Sequence, residues 1–406
     1  MKICILVGSM SISGGTYVII QHSCYLKANG FDVTLAVQES FSSLTIAWHD
    51  QALRLRCIPI DQAKTETFDL VIATWWKTAF ELSNFEANHY GYFVQSIESR
   101  FYPDNEIPLR ALVDSTYRFP VVYVTEATWI QSFLHEQFGQ MSTLVRNGIR
   151  KDVYRNEGTK IALPNDHHPR VLIEGHFGVR FKNTALALRL AREAGACDIW
   201  VLTGSPIRWI PGVSRVFSQV PMLQTADIYR SCDILVKLST VEGMFGPPLE
   251  IFHCGGTAVV YDVTGHDEYI VDGVNARVIP RGDADAVVQT ISALLNDPAQ
   301  LKSLQKGALQ TAASWPSWEE SSAKFLLWVK VALETSPVDR SALKDMTAQS
   351  YLEYGRDERL RLKNNPRIVR RHKLSALASH LPGFALKAMK QLEAVGEVVL
   401  RSRETY

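Results

Sequence analysis

The stretch DILVKLSTVEGMFGPPLEIFHCGG occupies residues 233–256. Its apolar run at 234–238 predicts a buried strand, and the Gly- and Pro-rich segment 239–248 predicts a loop. A short helix follows, because Pro247 and Pro248 suit a first helical turn and Gly255 and Gly256 suit the end of a helix. The start of that helix, with its N–H groups and positive dipole end, is a predicted site for an anion.

Two carboxylates flank this predicted anion site. Glu242 lies in the loop and Glu250 in the first turn of the helix, eight positions later. Carboxylates accept hydrogen bonds from hydroxyl groups, so the pattern suits a ligand that carries a diphosphate between hydroxyl-bearing parts. Two glutamates at this spacing are also common on solvated helices; the strand, prolines and glycine pair in register with them favour a binding site.

The spacing Glu-x7-Glu followed by Gly-Gly resembles glycosyltransferase family 4, whose members have the two-domain GT-B fold. The resemblance implies that Glu250 binds the nucleotide ribose and that Glu242 lies at the donor sugar and leaving phosphate. The family loop usually reads E-G-x-G-x-P. Here Phe245 stands at the second glycine position, Gly246 follows one place later, and Pro247 comes next. The resemblance assigns these three residues to donor binding and leaves the path of the loop open.

Composition places the chain among ordinary globular proteins. Its 406 residues suit two domains, and 43 Lys and Arg against 42 Asp and Glu give no basic field that would favour nucleic acid. The six cysteines are far apart and lack CxxC pairs, which predicts free thiols, no metal site and a reducing compartment. The N-terminal apolar run is short for a signal peptide, so we expect a cytoplasmic protein, peripheral at the inner membrane face.

The first domain opens with a β-loop-α-β pattern, which predicts a parallel sheet. An apolar run at 3–7 precedes Gly14 and Gly15, and a helix and a second strand follow. A dinucleotide site is the rival interpretation, but the turn GSMSISGG is not G-x-G-x-x-G, and Glu39 is the nearest acidic residue after the second strand. Family 4 proteins commonly carry a Gly-Gly pair here that contacts the donor diphosphate, and Gly14 and Gly15 match it.

A polar segment follows the strand predicted at 91–95. Gln95, Glu98 and Arg100 lie at its carboxyl end, where open α/β sheets bind ligands, so they are candidates for the acceptor side. An ordinary polar surface loop explains them equally well. Family 4 enzymes often have a histidine near here; in this chain either Gln95 or Glu98 takes its place, or no residue does. The segment also resembles rhamnosyltransferases that assemble rhamnan-type surface glycans.

The second domain opens with a strand at 170–174 and a turn that reads GHFGVRFKN. In family 4 this turn carries an arginine and, six residues later, a lysine, and both hold the donor diphosphate. Lys182 occupies the lysine position and His176 the arginine position, while Arg180 lies two residues before the lysine. The second cation is therefore either Arg180 or a pH-dependent His176. Gly204, after the strand at 199–203, lies where the family packs the nucleobase.

The sequence thus predicts an α/β protein of GT-B type, with two Rossmann-like domains whose parallel sheets face each other across a cleft, plus a helical C-terminal tail. The expected parts are an acceptor-side domain (1–150), a linker (151–169), a donor domain (170–313), a terminal helix bracing the first domain (314–336) and a basic tail (337–406).

Residues 356–373 of this tail hold eight Arg or Lys against two acids, and an apolar stretch follows. Segment 356–400 is therefore a candidate for contact with an anionic membrane surface, and equally for a solvated helix or an oligomer contact.

The resemblance implies transfer of a hexose or deoxyhexose from a nucleoside-diphosphate sugar to a glycan or lipid-linked acceptor in surface polysaccharide synthesis. Glu242, Lys182 and Arg180 are the candidate catalytic residues, with retention of configuration, no metal and no cofactor. Two other interpretations stay open: a non-catalytic, transferase-like subunit that binds sugar nucleotides, and an NAD(P)-dependent oxidoreductase.

Overall fold

The computed structural model describes residues 1–162 and 168–364. One sheet contains β1 (Lys2–Val7), β2 (Asp32–Val37), β3 (Arg56–Pro59), β4 (Thr67–Ala73), β5 (Glu86–Val94), β6 (Val122–Thr125) and β7 (Ser142–Leu144). The other contains β8 (Val171–Glu174), β9 (Ile199–Thr203), β10 (Arg215–Ser218), β11 (Ile234–Lys237), β12 (Thr257–Tyr261) and β13 (Arg277–Ile279).

The helices cover both faces of these sheets. They are α1 (Gly14–Ala28), α2 (Ser43–Ile46), α3 (Ile60–Ala63), α4 (Trp76–Ala79), α5 (Ile107–Ser115), α6 (Thr128–Phe138), α7 (Thr184–Glu193), α8 (Met222–Tyr229), α9 (Gly246–His253), α10 (Ala284–Asn296), α11 (Pro298–Ser314), α12 (Trp318–Glu334) and α13 (Arg340–Asn364).

Both sheets are parallel, with strand orders β3-β2-β1-β4-β5-β6-β7 and β10-β9-β8-β11-β12-β13. The central strands β1 and β11 are apolar and buried along most of their length, as expected for parallel strands covered on both faces. The strand order reverses between β1 and β4 in one sheet and between β8 and β11 in the other. Ligands of open α/β sheets bind outside the carboxyl ends of strands at such switch points.

The chain returns to the first domain after the second sheet is complete. Helix α12 packs against α1 and β5, and the Trp328 ring lies so close to Gly91 that a Cβ there would be 2.9 Å from it. Helix α13 packs on α5, and the Tyr351 ring lies 4.8 Å from that of Phe80.

None of the helices in the described part of the chain combines the length and apolar character that a bilayer-spanning segment needs.

Most of the tail segment 356–400 lies outside the described residues, so its predicted membrane or oligomer contact stays a prediction. Within the described part, Arg361 pairs with Glu106 of the first domain and with Glu358, each at 2.7 Å. This arginine is therefore engaged by the protein itself.

Local sequence signals misplaced some elements. The local sequence predicts a helix at 75–83, where the structure has only α4 and then a 3₁₀ turn. It also predicts a strand at 144–147, whereas β7 ends at Leu144. Strand β3 and helices α5 and α11 were not predicted. Pro298 begins α11 directly after α10, because the Asp297 carboxylate accepts hydrogen bonds from the next helix, at 3.0 Å from the N–H of Ala299.

Candidate functional site

A cleft of about 680 Å³ lies between the carboxyl ends of the two sheets. Its lining includes Val7 at the end of β1, Gln95 after β5, Glu174 at the end of β8 and Lys237 at the end of β11. Both strand-order reversals therefore face the same space, which makes the cleft the expected ligand site of this fold.

The first helix of the chain starts at this cleft. Ser13 caps α1 by accepting a hydrogen bond from the N–H of Thr16 at 3.1 Å, and Gly14 and Gly15 line the cleft. A Cβ on Gly14 would meet no atom of the described protein within 4 Å, whereas one on Gly15 would lie 3.3 Å from the Gln95 side chain. Packing does not demand glycine at position 14, and its absent side chain leaves room for a ligand beside a helix N-terminus.

Helix α9 starts on the opposite wall. It begins at Gly246, and Gly246 and Pro247 line the cleft. The sequence led us to expect several free N–H groups here, but Pro247 and Pro248 have none, so Gly246 supplies the N–H within the first three helical residues. The helix therefore acts on an anion mainly through its dipole. Phe245, expected to bind the donor, is fully buried in the core of the second domain and lies outside the cleft lining.

Two lysines and two glutamates form an ion cluster on the wall of the second domain. Lys182 Nζ lies 2.8 Å from both oxygens of Glu242, and Lys237 Nζ lies 3.9 Å from Glu242 Oε1 and pairs closely with Glu174. Burial alone would raise the pKa of Glu242, but the two ammonium groups hold it below its ordinary value. Glu242 is thus an anion near neutral pH, within contact of the predicted diphosphate cation Lys182.

Glu250 lines the same cleft from helix α9. Burial raises its pKa to about 7, while hydrogen bonds from Tyr229 and Tyr154 favour its charged form. Both tyrosines also line the cleft. A carboxylate held by two phenols in a narrow site is suited to bind a pair of hydroxyl groups.

The predicted second cation is not provided by either candidate residue. His176 lines the cleft, but burial lowers its pKa, and its Nδ1 lies 2.8 Å from Ser205 Oγ. The lowered pKa leaves His176 uncharged near pH 7, so the predicted pH-dependent charge would appear only at lower pH. Arg180 is exposed and lies outside the cleft lining, because the 3₁₀ turn that contains it places Phe181 and Lys182 at the cleft instead.

Gly204 is in the cleft lining next to His176. A Cβ on Gly204 would lie 2.7 Å from His176 Nε2, so glycine is required for the imidazole to lie over the end of β9.

The predicted acceptor-side residues separate into two groups. Gln95 and Glu98 line the cleft, whereas Arg100 lies over the rings of Trp129 and Phe133, at 4.9 and 5.1 Å from their centroids. Arg100 therefore packs on α6 and lies outside the cleft lining.

Glu98 is held by the first domain. Its Oε2 accepts hydrogen bonds from the Trp76 N–H at 2.7 Å and the Tyr92 hydroxyl at 3.2 Å. Burial raises its pKa to about 8, so the carboxyl is mostly protonated at neutral pH. This arrangement makes Glu98 a structural element of the cleft floor as well as a lining residue.

We expect Glu98 to make stability depend on pH. Because its pKa is raised in the folded state, it favours folding below the unfolded pKa near 4.5, and this advantage disappears as pH rises through 8. The Glu98→Gln variant keeps the hydrogen-bond acceptor but cannot ionise. Its urea midpoint should match the wild type at pH 5 and exceed it at pH 9; equal midpoints at both pH values would contradict the assignment.

The loop that carries Glu242 is held by the first domain. Trp129 Nε1 donates to the carbonyl of Gly243 at 2.8 Å, and Glu126 Oε1 accepts from the N–H of Met244 at 3.0 Å. A Cβ on Gly243 would lie 1.8 Å from the backbone oxygen of Gln95. The two domains therefore meet at the glutamate loop itself.

Several cleft residues were missed by sequence reasoning: Tyr17, Glu126, Tyr154, Glu174, Tyr229 and Lys237. Lys237 had a readable signal, because a lysine at the end of an apolar strand is rarely buried without a role. Glu126 follows a strand directly and had the same positional signal as Gln95. No sequence signal identified the tyrosines, since aromatic residues in such segments usually belong to the core.

Comparison with known proteins agrees with this geometry. Residues 210–311, which include both Glu242 and Glu250, match the family model described as Glycosyl transferases group 1. This segment of the chain is therefore similar to group 1 glycosyltransferases. A D-inositol 3-phosphate glycosyltransferase of Catenulispora acidiphila is 32% identical over 120 residues, which are 30% of this chain and 28% of that relative.

Solved structures match more of the chain. Sucrose-phosphate synthase from Thermosynechococcus elongatus and Anabaena HepE in complex with UDP and glucose each superpose with a TM-score of 0.64. Each match covers 82% of this chain and 100% of the solved chain, with 15% identity for the synthase and 14% for HepE. The predicted GT-B fold is thereby confirmed, as is the resemblance to family 4 at the level of the fold and the group 1 domain.

Proposed function

We propose that this chain transfers a sugar from a nucleoside-diphosphate sugar to a hydroxyl group of an acceptor. The observation that carries the proposal is the Lys182–Glu242 pair in a cleft faced by one helix start from each domain. A sugar nucleotide needs a cation and helix dipoles at its diphosphate and carboxylates at its hydroxyl groups. The group 1 domain and the GT-B fold support the same assignment.

In this proposal Glu250 binds the ribose and Glu242 orients the donor hydroxyls. The bond between the sugar C1 and the phosphate oxygen breaks, and the acceptor oxygen bonds to C1. The acceptor proton goes to the leaving phosphate, which Lys182 stabilises as its charge develops. The step proceeds with retention of configuration and requires no protein nucleophile and no metal ion.

The donor sugar is a hexose or deoxyhexose, with rhamnose as the first candidate, and the acceptor is a glycan or lipid-linked glycan of a surface polysaccharide. Only the sequence resemblance around residues 95–104 supports rhamnose. We place the reaction on the cytoplasmic side, at the inner membrane face.

A ligand-binding screen followed by a transfer assay tests the proposal. UDP, dTDP, GDP and ADP, and then their sugars, are compared by their effect on the melting temperature, because a ligand that binds only the folded state raises it. UDP is the first probe, since the HepE structure contains it. Absence of binding by all four diphosphates, together with no release of sugar from any donor, would refute the proposal.

Glu250→Ala should weaken binding of the nucleoside diphosphate by about 10-fold or more, with a smaller change in kcat, because the ribose contact is made in both the ground state and the transition state. Isothermal titration with the diphosphate selected by the screen measures this effect. Glu193→Ala, at an exposed ion pair with Arg189, is the control and should bind normally. Equal affinity in Glu250→Ala and the wild type would remove the ribose assignment.

A non-catalytic, sugar-nucleotide-binding subunit is the second candidate. The uncharged His176 at the position of the family arginine favours it, because that position supplies no cation to the leaving group. Slow hydrolysis of a sugar nucleotide by the purified chain would exclude this candidate.

A further inference from the structure

Lys237 occupies an unusual position for a lysine. It is the last residue of β11 and is 2% exposed, while the rest of that strand is apolar. Strand β11 lies next to β8, where the strand order of the second sheet reverses, and Glu174 ends β8. Lys237 therefore projects its charge at the carboxyl ends of the two strands that define the ligand crevice.

The surroundings keep this lysine charged. Burial alone would lower the pKa of Lys237, but the carboxylates of Glu174 and Glu242 raise it above its ordinary value. Its ammonium group pairs with Glu174, whereas its 3.9 Å distance from Glu242 is too long for a hydrogen bond. An ammonium has three donors, so some remain for a ligand in the cleft.

The ammonium groups of Lys182 and Lys237 both lie near one oxygen of Glu242. Their ammonium groups lie 2.8 and 3.9 Å from the same oxygen, Oε1 of Glu242. Among the described residues, these two lysines are in the cleft lining and no arginine is. His176 is uncharged near pH 7 and Arg180 lies outside the lining, so neither of them places a positive charge in the cleft.

We propose that Lys237 is the second cation that binds the diphosphate of the donor, reaching it from β11 instead of from the turn after β8. The inference depends on the proposed function. Glu174 is then the carboxylate that pairs with this ammonium when no donor is bound, while Glu242 also helps to keep the lysine charged. Water screens the Coulomb attraction between a buried ammonium and a phosphate less than it screens that of an exposed arginine.

The test compares ligands that differ only in phosphate: UDP, UMP and uridine, or dTDP, dTMP and thymidine if the screen selects thymine. The double variant Lys237→Met/Glu174→Gln removes both charges of the pair, so neither charge is left without its partner. We expect it to bind the diphosphate about 10-fold or more weakly, with nucleoside binding within a factor of about two of the wild type. Glu250→Ala, by contrast, should weaken all three ligands.

Two further variants separate the proposal from a structural role. Glu174→Gln alone leaves Lys237 charged and less neutralised, so it should bind the diphosphate at least as tightly as the wild type. Lys302→Met, on an exposed face of α11, controls for the loss of a lysine charge. If the double variant keeps the wild-type ratio of diphosphate to nucleoside affinity, Lys237 does not bind phosphate, whereas failure of the wild type to bind any diphosphate refutes the proposed function instead.

Discussion

Replacement of Gly243 by alanine should lower sugar transfer by about 100-fold or more while leaving the nucleoside diphosphate bound. The added Cβ would lie 1.8 Å from the backbone oxygen of Gln95 and 2.8 Å from Glu126 Oε1. Because the nearer atom belongs to the backbone of the other domain, the domains cannot close around the loop as they do here. Glu242 would then lie away from the acceptor side, although Glu250 and Lys182 still bind the donor.

Steady-state kcat, the Kd of the diphosphate and the radius of gyration in solution together check this expectation. The clash is between domains, so each domain should keep its fold and the radius should increase. Gly355→Ala is the matched control, because among the described residues a Cβ there meets only Arg359, at 3.8 Å. Wild-type turnover by Gly243→Ala would show that catalysis takes place in a different arrangement of the two domains.

Glu242→Gln should lower kcat by about 100- to 1,000-fold, the range seen when one preorganised electrostatic partner of a transition state is removed. Its carboxylate is held ionised by Lys182 and Lys237 and is the residue expected at the developing sugar cation. The amide keeps the shape and loses the charge. Binding of the diphosphate should stay equal or become tighter, because Lys182 no longer has an anionic protein partner.

This pattern is the reverse of the one expected for Glu250→Ala, in which binding falls more than turnover. A comparison of both variants in one assay therefore separates the two carboxylates. Glu193→Gln removes a carboxylate from an exposed ion pair of the same domain and should change neither quantity. Weaker diphosphate binding with unchanged kcat in Glu242→Gln would exchange the roles assigned to the two glutamates.

Local signals predicted much of the fold. Continuous apolar runs located the central strands, and prolines and glycines located the start and end of α9 within a residue or two. The resemblance placed Gly14, Gly15, Lys182, Glu242 and Glu250 in one site, and the structure does bring these residues to one cleft. Their catalytic and binding roles remain predictions.

The sequence predicted less about which distant residues contact the residues of the site. Glu174 and Lys237 are 63 positions apart and meet because β8 and β11 are neighbours in the sheet. Glu126 and Met244 are 118 positions apart and meet because the domains close on the glutamate loop. No local periodicity encodes such pairs, since they depend on the order of strands and on how two separately folded domains dock.

The sequence by itself determined the parallel α/β architecture, the loop that carries both glutamates and the helix start beside it, because each depends on neighbouring residues and on their backbone preferences. The tertiary structure alone decided which side chains are charged and which are accessible from the cleft. Burial makes His176 neutral, the turn before α7 turns Arg180 away from the cleft, and strand order brings Lys237 into it. Charge and accessibility depend on everything that surrounds a side chain in space, and most of those surroundings are distant in sequence.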